Sequence, residues 1–180
     1  MKDTVGAFLM SWRIRVVFGV LKGDVLDVGC GTNELVNTYK TIHPEYKAVG
    51  VDVYPWEGVD AVILNSTNLP FADASFDTIC CIAALNHIPE REGFLREAKR
   101  ILRPHGHLVL TMLPPGISRV WHFLRFPWDV DQHERGIKEG ELYGLSTNSI
   151  KTLLETAGFS LTRVSSFMLW INKLYVAENI

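Results

Sequence analysis

Two rhythms alternate along the chain. Short apolar runs bounded by glycine, proline and polar clusters read as strands, and apolar residues recurring three or four apart read as helices. The first helix is predicted over residues 7–20, where Phe8, Leu9, Trp12, Val16 and Val20 keep helical spacing. Val25-Leu26-Asp27-Val28 follows as the first strand and is ended by Gly29-Cys30-Gly31. A second helix over 34–40 must close before His43-Pro44, because proline cannot continue it. Residues 46–53 form the second predicted strand, and 59–64 the third, before a polar loop Asn65-Ser66-Thr67-Asn68. Residues 76–84 are almost unbroken in apolar character, as in a strand covered on both faces. Over 90–102, Phe94, Leu95, Ala98, Ile101 and Leu102 share one helical stripe, which Arg103-Pro104 stops. Residues 107–112 make a fifth strand, and from 113 to 145 no period survives. Ser146 or Thr147 then caps a helix ending at Gly158, and strands near 159–166 and 168–177 close the chain. This alternation predicts an α/β fold: a mostly parallel sheet with helices on both faces. No repeat or linker interrupts it, so residues 1–180 are expected to be a single domain.

Composition narrows the class. With 47% hydrophobic and 21% charged residues the chain can bury a core, which excludes disorder. Lys plus Arg number 18 against 20 for Asp plus Glu, so no basic excess draws the chain to nucleic acid. No apolar run approaches the roughly 18 residues of a membrane-spanning helix. Arg13 and Arg15 break the apolar start and no cleavage pattern follows, so a secretory leader is not expected. The three cysteines, Cys30, Cys80 and Cys81, are odd in number and give neither a zinc set nor a disulfide framework. They suit a reducing compartment, and a cytoplasmic location is expected.

In an open parallel sheet, ligands bind beyond the carboxyl ends of the strands, where strand order reverses. The residues just after each predicted strand are therefore the informative ones. Gly29 and Gly31 permit positive φ and let a ligand approach the backbone amides that open the next helix. A dinucleotide fingerprint requires glycine or alanine at position 34, whereas Glu34 would set a carboxylate against a pyrophosphate. A ligand without a pyrophosphate suits the loop better, although such glycines can also be purely structural. Asp52, at the end of the next strand, can accept from both ribose hydroxyls. It is equally able to serve as a turn residue; the glycine loop and the acid together favour an adenosine site.

The motifs that carry these residues are more specific. Val25-Leu26-Asp27-Val28-Gly29-Cys30-Gly31 resembles the first motif of class I S-adenosylmethionine-dependent methyltransferases, and Val49-Gly50-Val51-Asp52 their acidic second-strand motif. The segment from Leu69-Pro70-Phe71 to Phe76-Asp77 is similar to the entry to their fourth strand. Leu102-Arg103-Pro104-His105-Gly106-His107 resembles their fifth-strand entry, and Leu153-Leu154-Glu155-Thr156-Ala157-Gly158-Phe159 their last helix and turn. The resemblance runs in order over roughly residues 24–160. It implies a Rossmann-like, doubly wound, seven-stranded sheet, mostly parallel with the last strand antiparallel, and S-adenosylmethionine as cofactor. By motif, Asp27, Gly29, Cys30 and Gly31 would hold the methionine end, Asp52 the ribose, and Val53 the flank of the adenine. Asn65 stands where many relatives carry an aspartate that accepts from the adenine amino group; its amide oxygen can accept the same bond without a charge. Ser66 and Thr67 would complete the adenine edge and Ala83 would lie beneath the cofactor. Asn33 replaces a third glycine, and asparagine tolerates the left-handed region.

Several features stay open. His87 follows the fourth strand and is either a general base or a structural residue. Trp128-Asp129-Val130-Asp131-Gln132-His133-Glu134 gathers ligand-type side chains, but one loop rarely supplies a whole metal site, and no metal is expected. Asp131 and His133 resemble the acid and histidine that precede the last helix in many relatives, which makes this a substrate-side loop. Trp121, Phe123, Phe126 and Trp128 crowd one stretch of an unusually long connection. They form a local cluster, a homodimer contact, a cap over the acceptor within 113–145, or a surface that docks on a membrane. The function expected is methyl transfer to a small, apolar or aromatic molecule, with His133 or His87 as base if the acceptor is a hydroxyl. The alternatives are a non-catalytic cofactor-binding module or partner subunit with the same fold, and a nicotinamide-dependent oxidoreductase, which Glu34 disfavours. No nucleic-acid partner and no integral membrane segment are expected.

Overall fold

The computed structural model describes residues 4–117, 140 and 142–180. Seven strands form one sheet in the order β3-β2-β1-β4-β5-β7-β6. They are β1 (Val25–Val28), β2 (Ala48–Asp52), β3 (Ala61–Val62), β4 (Phe76–Ile82), β5 (Leu102–Met112), β6 (Phe159–Phe167) and β7 (Asn172–Asn179). β1 pairs in parallel with both β2 and β4, and β4 with β5, while β7 runs antiparallel between β5 and β6. From β1 the chain winds outward through β2 and β3; from β4 it winds the other way. Strand order therefore reverses between β1 and β4, and their carboxyl ends open a crevice there.

The apolar strands carry a period of two hidden inside continuous hydrophobic runs. Leu26, Val28, Ile79, Cys81, Leu108 and Leu110 face a core with helix α3 (Arg91–Ile101) and helix α4 (Thr147–Thr156), through Phe94, Leu95, Ala98, Ile101, Ile150 and Leu154. Val25, Cys80, Val109, Leu174 and Val176 face the other way, onto helix α1 (Thr4–Phe18) and helix α2 (Glu34–Ile42), through Val17, Leu35, Val36 and Tyr39. Both faces are thus covered, as parallel strands require. Asp27 alternates with Leu26 and Val28 and so belongs to the face covered by α1 and α2.

At the opposite edge, Arg103 bridges Asp24 at 3.0 Å and Asp77 at 2.5 Å, and the Asp24 amide donates to the Asp77 carboxylate at 2.8 Å. This cluster ties the amino ends of β1 and β4 together. Ser146 caps α4 by accepting from the Ser149 amide at 3.1 Å, and Gly158 ends that helix region with φ +80°.

Three predicted strands change extent, and the buried face of one helix shifts. The third strand shrinks from 59–64 to Ala61–Val62, because at the sheet edge only β2 offers it partners. The fifth extends back to Leu102, which pairs with Phe76 before a register shift brings His107 opposite Thr78. The closing hairpin turns at 168–171, where Met168, Leu169 and Trp170 all adopt positive φ, so β7 begins at Asn172. In α1 the buried face is shifted from the predicted stripe: Met10, Ile14 and Val17 face inward, while Phe8 and Trp12 are exposed and stack edge-to-face at 5.9 Å. Periodicity alone could not choose between the two faces, since both are apolar; packing on β5 and β7 decides.

Candidate active site

The crevice holds a cavity of about 730 Å³, lined by the turns after β1, β2, β3 and β4 and roofed by α1. Nine of the ten cofactor residues expected from the sequence line it: Asp27, Gly29, Cys30, Gly31, Asp52, Val53, Asn65, Ser66 and Ala83. Thr67 instead lines an adjoining groove beside α3 and α4.

The turn after β1 is shaped by three left-handed residues, Gly29 (φ +78°), Gly31 (φ +54°) and Asn33 (φ +62°). A Cβ on Gly29 would meet the Ala84 Cβ at 2.6 Å, so glycine is needed there for space as well as for φ. A Cβ on Gly31 would meet nothing within 4 Å, which leaves its backbone open to a ligand. Asn33 fills the place of a third glycine in two ways. It adopts the left-handed conformation, and its amide donates to the Gly58 carbonyl at 2.9 Å and to Asp60 at 3.0 Å. Asp60 in turn accepts from the Gly50 amide at 2.8 Å and from Lys40 at 2.7 Å.

Asp52 is buried, and both of its oxygens already accept backbone bonds: from the Gly31 amide at 3.0 Å and the Tyr54 amide at 3.0 Å. A carboxylate has roughly four acceptor sites, so each oxygen keeps one for a hydroxyl. Asp27 is only 3% exposed, and its Oδ1 has no hydrogen-bond partner. Burial, aided by the nearby Asp52 charge, pushes its carboxyl up to about 7. Asn65 Oδ1 accepts from both the Thr67 amide at 3.0 Å and the Thr67 hydroxyl at 2.9 Å. Thr67 thus holds Asn65 rather than facing the cavity. Ala83 sits at φ +55°, a conformation costing alanine about 1–2 kcal/mol, and strain of this kind concentrates at functional sites.

His87 lines the cavity from a 3₁₀ turn (Leu85–His87) whose amide donates to the Ala84 carbonyl at 2.9 Å. Cys80 and Cys81 are fully buried, and burial drives both thiols up, which fits packing rather than chemistry. The cap residues Trp121 and Trp128, with Asp131 and His133, lie outside the described residues, as does most of 113–145.

Sequence reasoning missed the roof. Met10, Arg13 and Ile14 come from α1, which precedes every motif, and Trp56 and Leu64 come from the rims of β2 and β3. No spacing in the chain marks these residues as neighbours of the glycine turn.

The family model for a methyltransferase domain matches residues 26–110, which run from within β1 to within β5 and include every cofactor residue expected from the sequence. Residues 26–110 thus resemble a methyltransferase domain, as the motifs of class I S-adenosylmethionine-dependent methyltransferases imply. A demethylmenaquinone methyltransferase of Thermotoga maritima is 31% identical over 122 residues, covering 61% of this chain and 53% of that protein. A probable tRNA methyltransferase 9B of Mus musculus is 30% identical over 92 residues, 48% of this chain and 21% of that protein. This chain therefore spans about half, or less, of these curated relatives. In fold it is similar to a SAM-dependent methyltransferase of Aquifex aeolicus, with a TM-score of 0.69 at 18% identity over 93% of this chain and 89% of that one.

S-adenosylmethionine is the cofactor that this resemblance implies, and the donor set of the chain fits it. Asp27 Oδ1 is an unpartnered buried acceptor, Gly31 presents a bare backbone, and Asp52 keeps spare acceptor sites near the open turn. The arrangement after β1 and β2 suits an amino acid joined to a nucleoside.

Proposed function

We propose that this methyltransferase transfers a methyl group from S-adenosylmethionine to a small, apolar or aromatic acceptor. The observation that carries this reading is the convergence of Asp27, Gly31, Asp52, Asn65, Ser66 and Ala83 on one cavity whose lining also includes the apolar side chains of Met10, Ile14, Ile82, Ile88 and Pro89. Its volume lies within the ~300–1,000 Å³ of small-molecule sites. The cofactor supplies an activated methyl group. The protein's own part is to align the acceptor with the sulfonium and keep water out.

Within this reading Asp27 holds the methionine end, Asp52 the ribose and Asn65 with Ser66 the adenine edge. His87 is positioned to take a proton if the acceptor is a hydroxyl, and His133 is the alternative base. Residues 113–145, with Trp121, Trp128 and Asp131, supply the acceptor side, because they follow β5 in the chain. The net charge of −2 supports a small acceptor over nucleic acid, and among the described residues no helix is long and apolar enough to cross a membrane. The name of the mouse relative favours a second reading, an RNA acceptor.

The test is the release of S-adenosylhomocysteine with a panel of phenols, quinols, aliphatic acids and transfer RNA. Turnover with a phenol or quinol supports the proposal. Turnover with transfer RNA alone replaces it, and tight cofactor binding without turnover on any acceptor leaves the non-catalytic module as the better description.

A further inference from the structure

Asn33 adopts φ +62°, a conformation that glycine takes freely and asparagine only with help from hydrogen bonds around it. Its side chain is fully buried, and it is Thr32 and Glu34 on either side, not Asn33, that line the cavity. Both hydrogens of its amide are taken up by acceptors in the loop after β2, the Gly58 carbonyl at 2.9 Å and Asp60 Oδ2 at 3.0 Å. A carbonyl and a carboxylate can only accept, so these two bonds fix which end of the amide is nitrogen. The loop lies directly against the turn, since a Cβ on Gly58 would meet the Thr32 carbonyl oxygen at 3.3 Å.

Asp60 is itself firmly anchored. The oxygen that holds Asn33 also accepts from the Gly50 amide at 2.8 Å, and the Asp60 amide donates to the Gly50 carbonyl at 3.1 Å. The other oxygen accepts from Lys40 of α2 at 2.7 Å. Burial opposes the charge on Asp60, but the bonds from Lys40, Gly50 and Asn33 outweigh it and hold the carboxyl below its ordinary value. Asp60 does not line the cavity, so its influence on a bound cofactor must pass through the turn. We propose that Asp60 is a positioning residue for cofactor binding: acting through Asn33, it holds the 29–33 turn in its left-handed shape, a task that disappears if residue 33 is glycine. This rests on the cofactor reading given above. Without Asp60 the buried Asn33 amide keeps a hydrogen with no acceptor, which the turn can relieve only by moving Asn33 out of the left-handed region. Glycine has no amide to satisfy and no steric reason to leave that region.

The test is a double-mutant cycle, read by calorimetry with S-adenosylhomocysteine on wild type, Asp60→Ala, Asn33→Gly and the double variant, each shown to be folded by its thermal transition. Asp60→Ala alone should weaken binding about fivefold or more, whereas the same change on top of Asn33→Gly should weaken it less than about twofold. Asn33→Gly alone should stay within about threefold of wild type. Asp60→Asn keeps an oxygen that can accept from Asn33, so it should fall between wild type and Asp60→Ala, and it replaces Asp60→Ala in the cycle if that variant does not fold. Removing Asp60 should lower the unfolding temperature in both backgrounds, because the Gly50 amide loses its acceptor either way, while affinity falls only where Asn33 is present. An equal loss of affinity in both backgrounds, wild-type affinity in folded Asp60→Ala, or an Asn33→Gly protein that no longer binds overturns the proposal and leaves the cofactor reading standing. If wild type does not bind S-adenosylhomocysteine, the cofactor reading fails, and the role of Asp60 with it.

Discussion

With Asp27 holding the methionine end of the cofactor, as proposed, cofactor binding is expected to be proton-coupled. In the free protein its carboxyl titrates at about 7, because burial and the adjacent Asp52 penalise the ionised form. The ligand's ammonium requires that carboxylate ionised, so binding below pH 7 must expel a proton. At pH 6 roughly nine-tenths of the free protein holds the proton, and expelling it costs about 1.4 kcal/mol. Affinity should therefore rise about fivefold from pH 6 to 7 and about a further twofold by pH 8, where it flattens. Calorimetry at pH 6 in two buffers of different ionisation enthalpy should report close to one proton released. In Asp27→Asn the proton release at pH 6 should vanish, and affinity at pH 8 should drop by roughly 1.5–3 kcal/mol for loss of a charge-assisted bond. The ligand's own amine titrates equally in both proteins and cancels in the comparison. Stability follows with the opposite sign to that of an ordinary salt-bridged acid. A raised carboxyl contributes stability below the unfolded value near 3.9 and loses it as pH rises toward 7. The free wild type should thus fall relative to free Asp27→Asn between pH 4 and 7, by roughly 4 kcal/mol at most. An affinity flat from pH 6 to 8 with no buffer-dependent heat would refute the argument.

Asp52→Ala should weaken cofactor binding by about 1.5–3 kcal/mol, and calorimetry giving wild-type affinity for the folded variant would remove Asp52 from the ribose. Asn65→Asp should bind the cofactor as well or better, because one carboxylate oxygen can keep the Thr67 bonds while the other meets the adenine amino group; a clear loss in the same titration would place that side chain elsewhere. Gly50→Ala should cost about 1–3 kcal/mol of stability in denaturant unfolding, since its Cβ would lie 1.8 Å from Asn33 Oδ1 and must displace the residue that shapes the turn. Trp128→Ala and His133→Ala should slow turnover on an identified acceptor while leaving cofactor affinity near wild type; lost cofactor affinity with normal turnover at saturation would move that segment to the cofactor side.

Local chemistry determined much of this protein. β1, β2 and β4 are short, mostly apolar strands whose ends line the cavity, and those ends can be read directly along the chain: Gly29 and Gly31 after β1, Asp52 at the end of β2, Ala83 after β4. Left-handed turns leave a mark because only glycine and asparagine adopt them cheaply, so Asn33 was legible as a substitute glycine. The tertiary structure decided what depends on contacts between distant segments. Asn65 is the local exception: the two bonds its oxygen takes from Thr67, two residues on, belong to a side-chain turn and not to a tertiary contact. Both faces of α1 are apolar, and only packing against β5 and β7 chose the one that carries Arg13 into the cavity. The charge state of Asp27 was equally hidden, because burial beside Asp52, not the residue's identity, lifts its carboxyl toward neutrality. Sequence spacing records bonds within an element; desolvation and the meeting of distant side chains arise only once the sheet is closed on both faces.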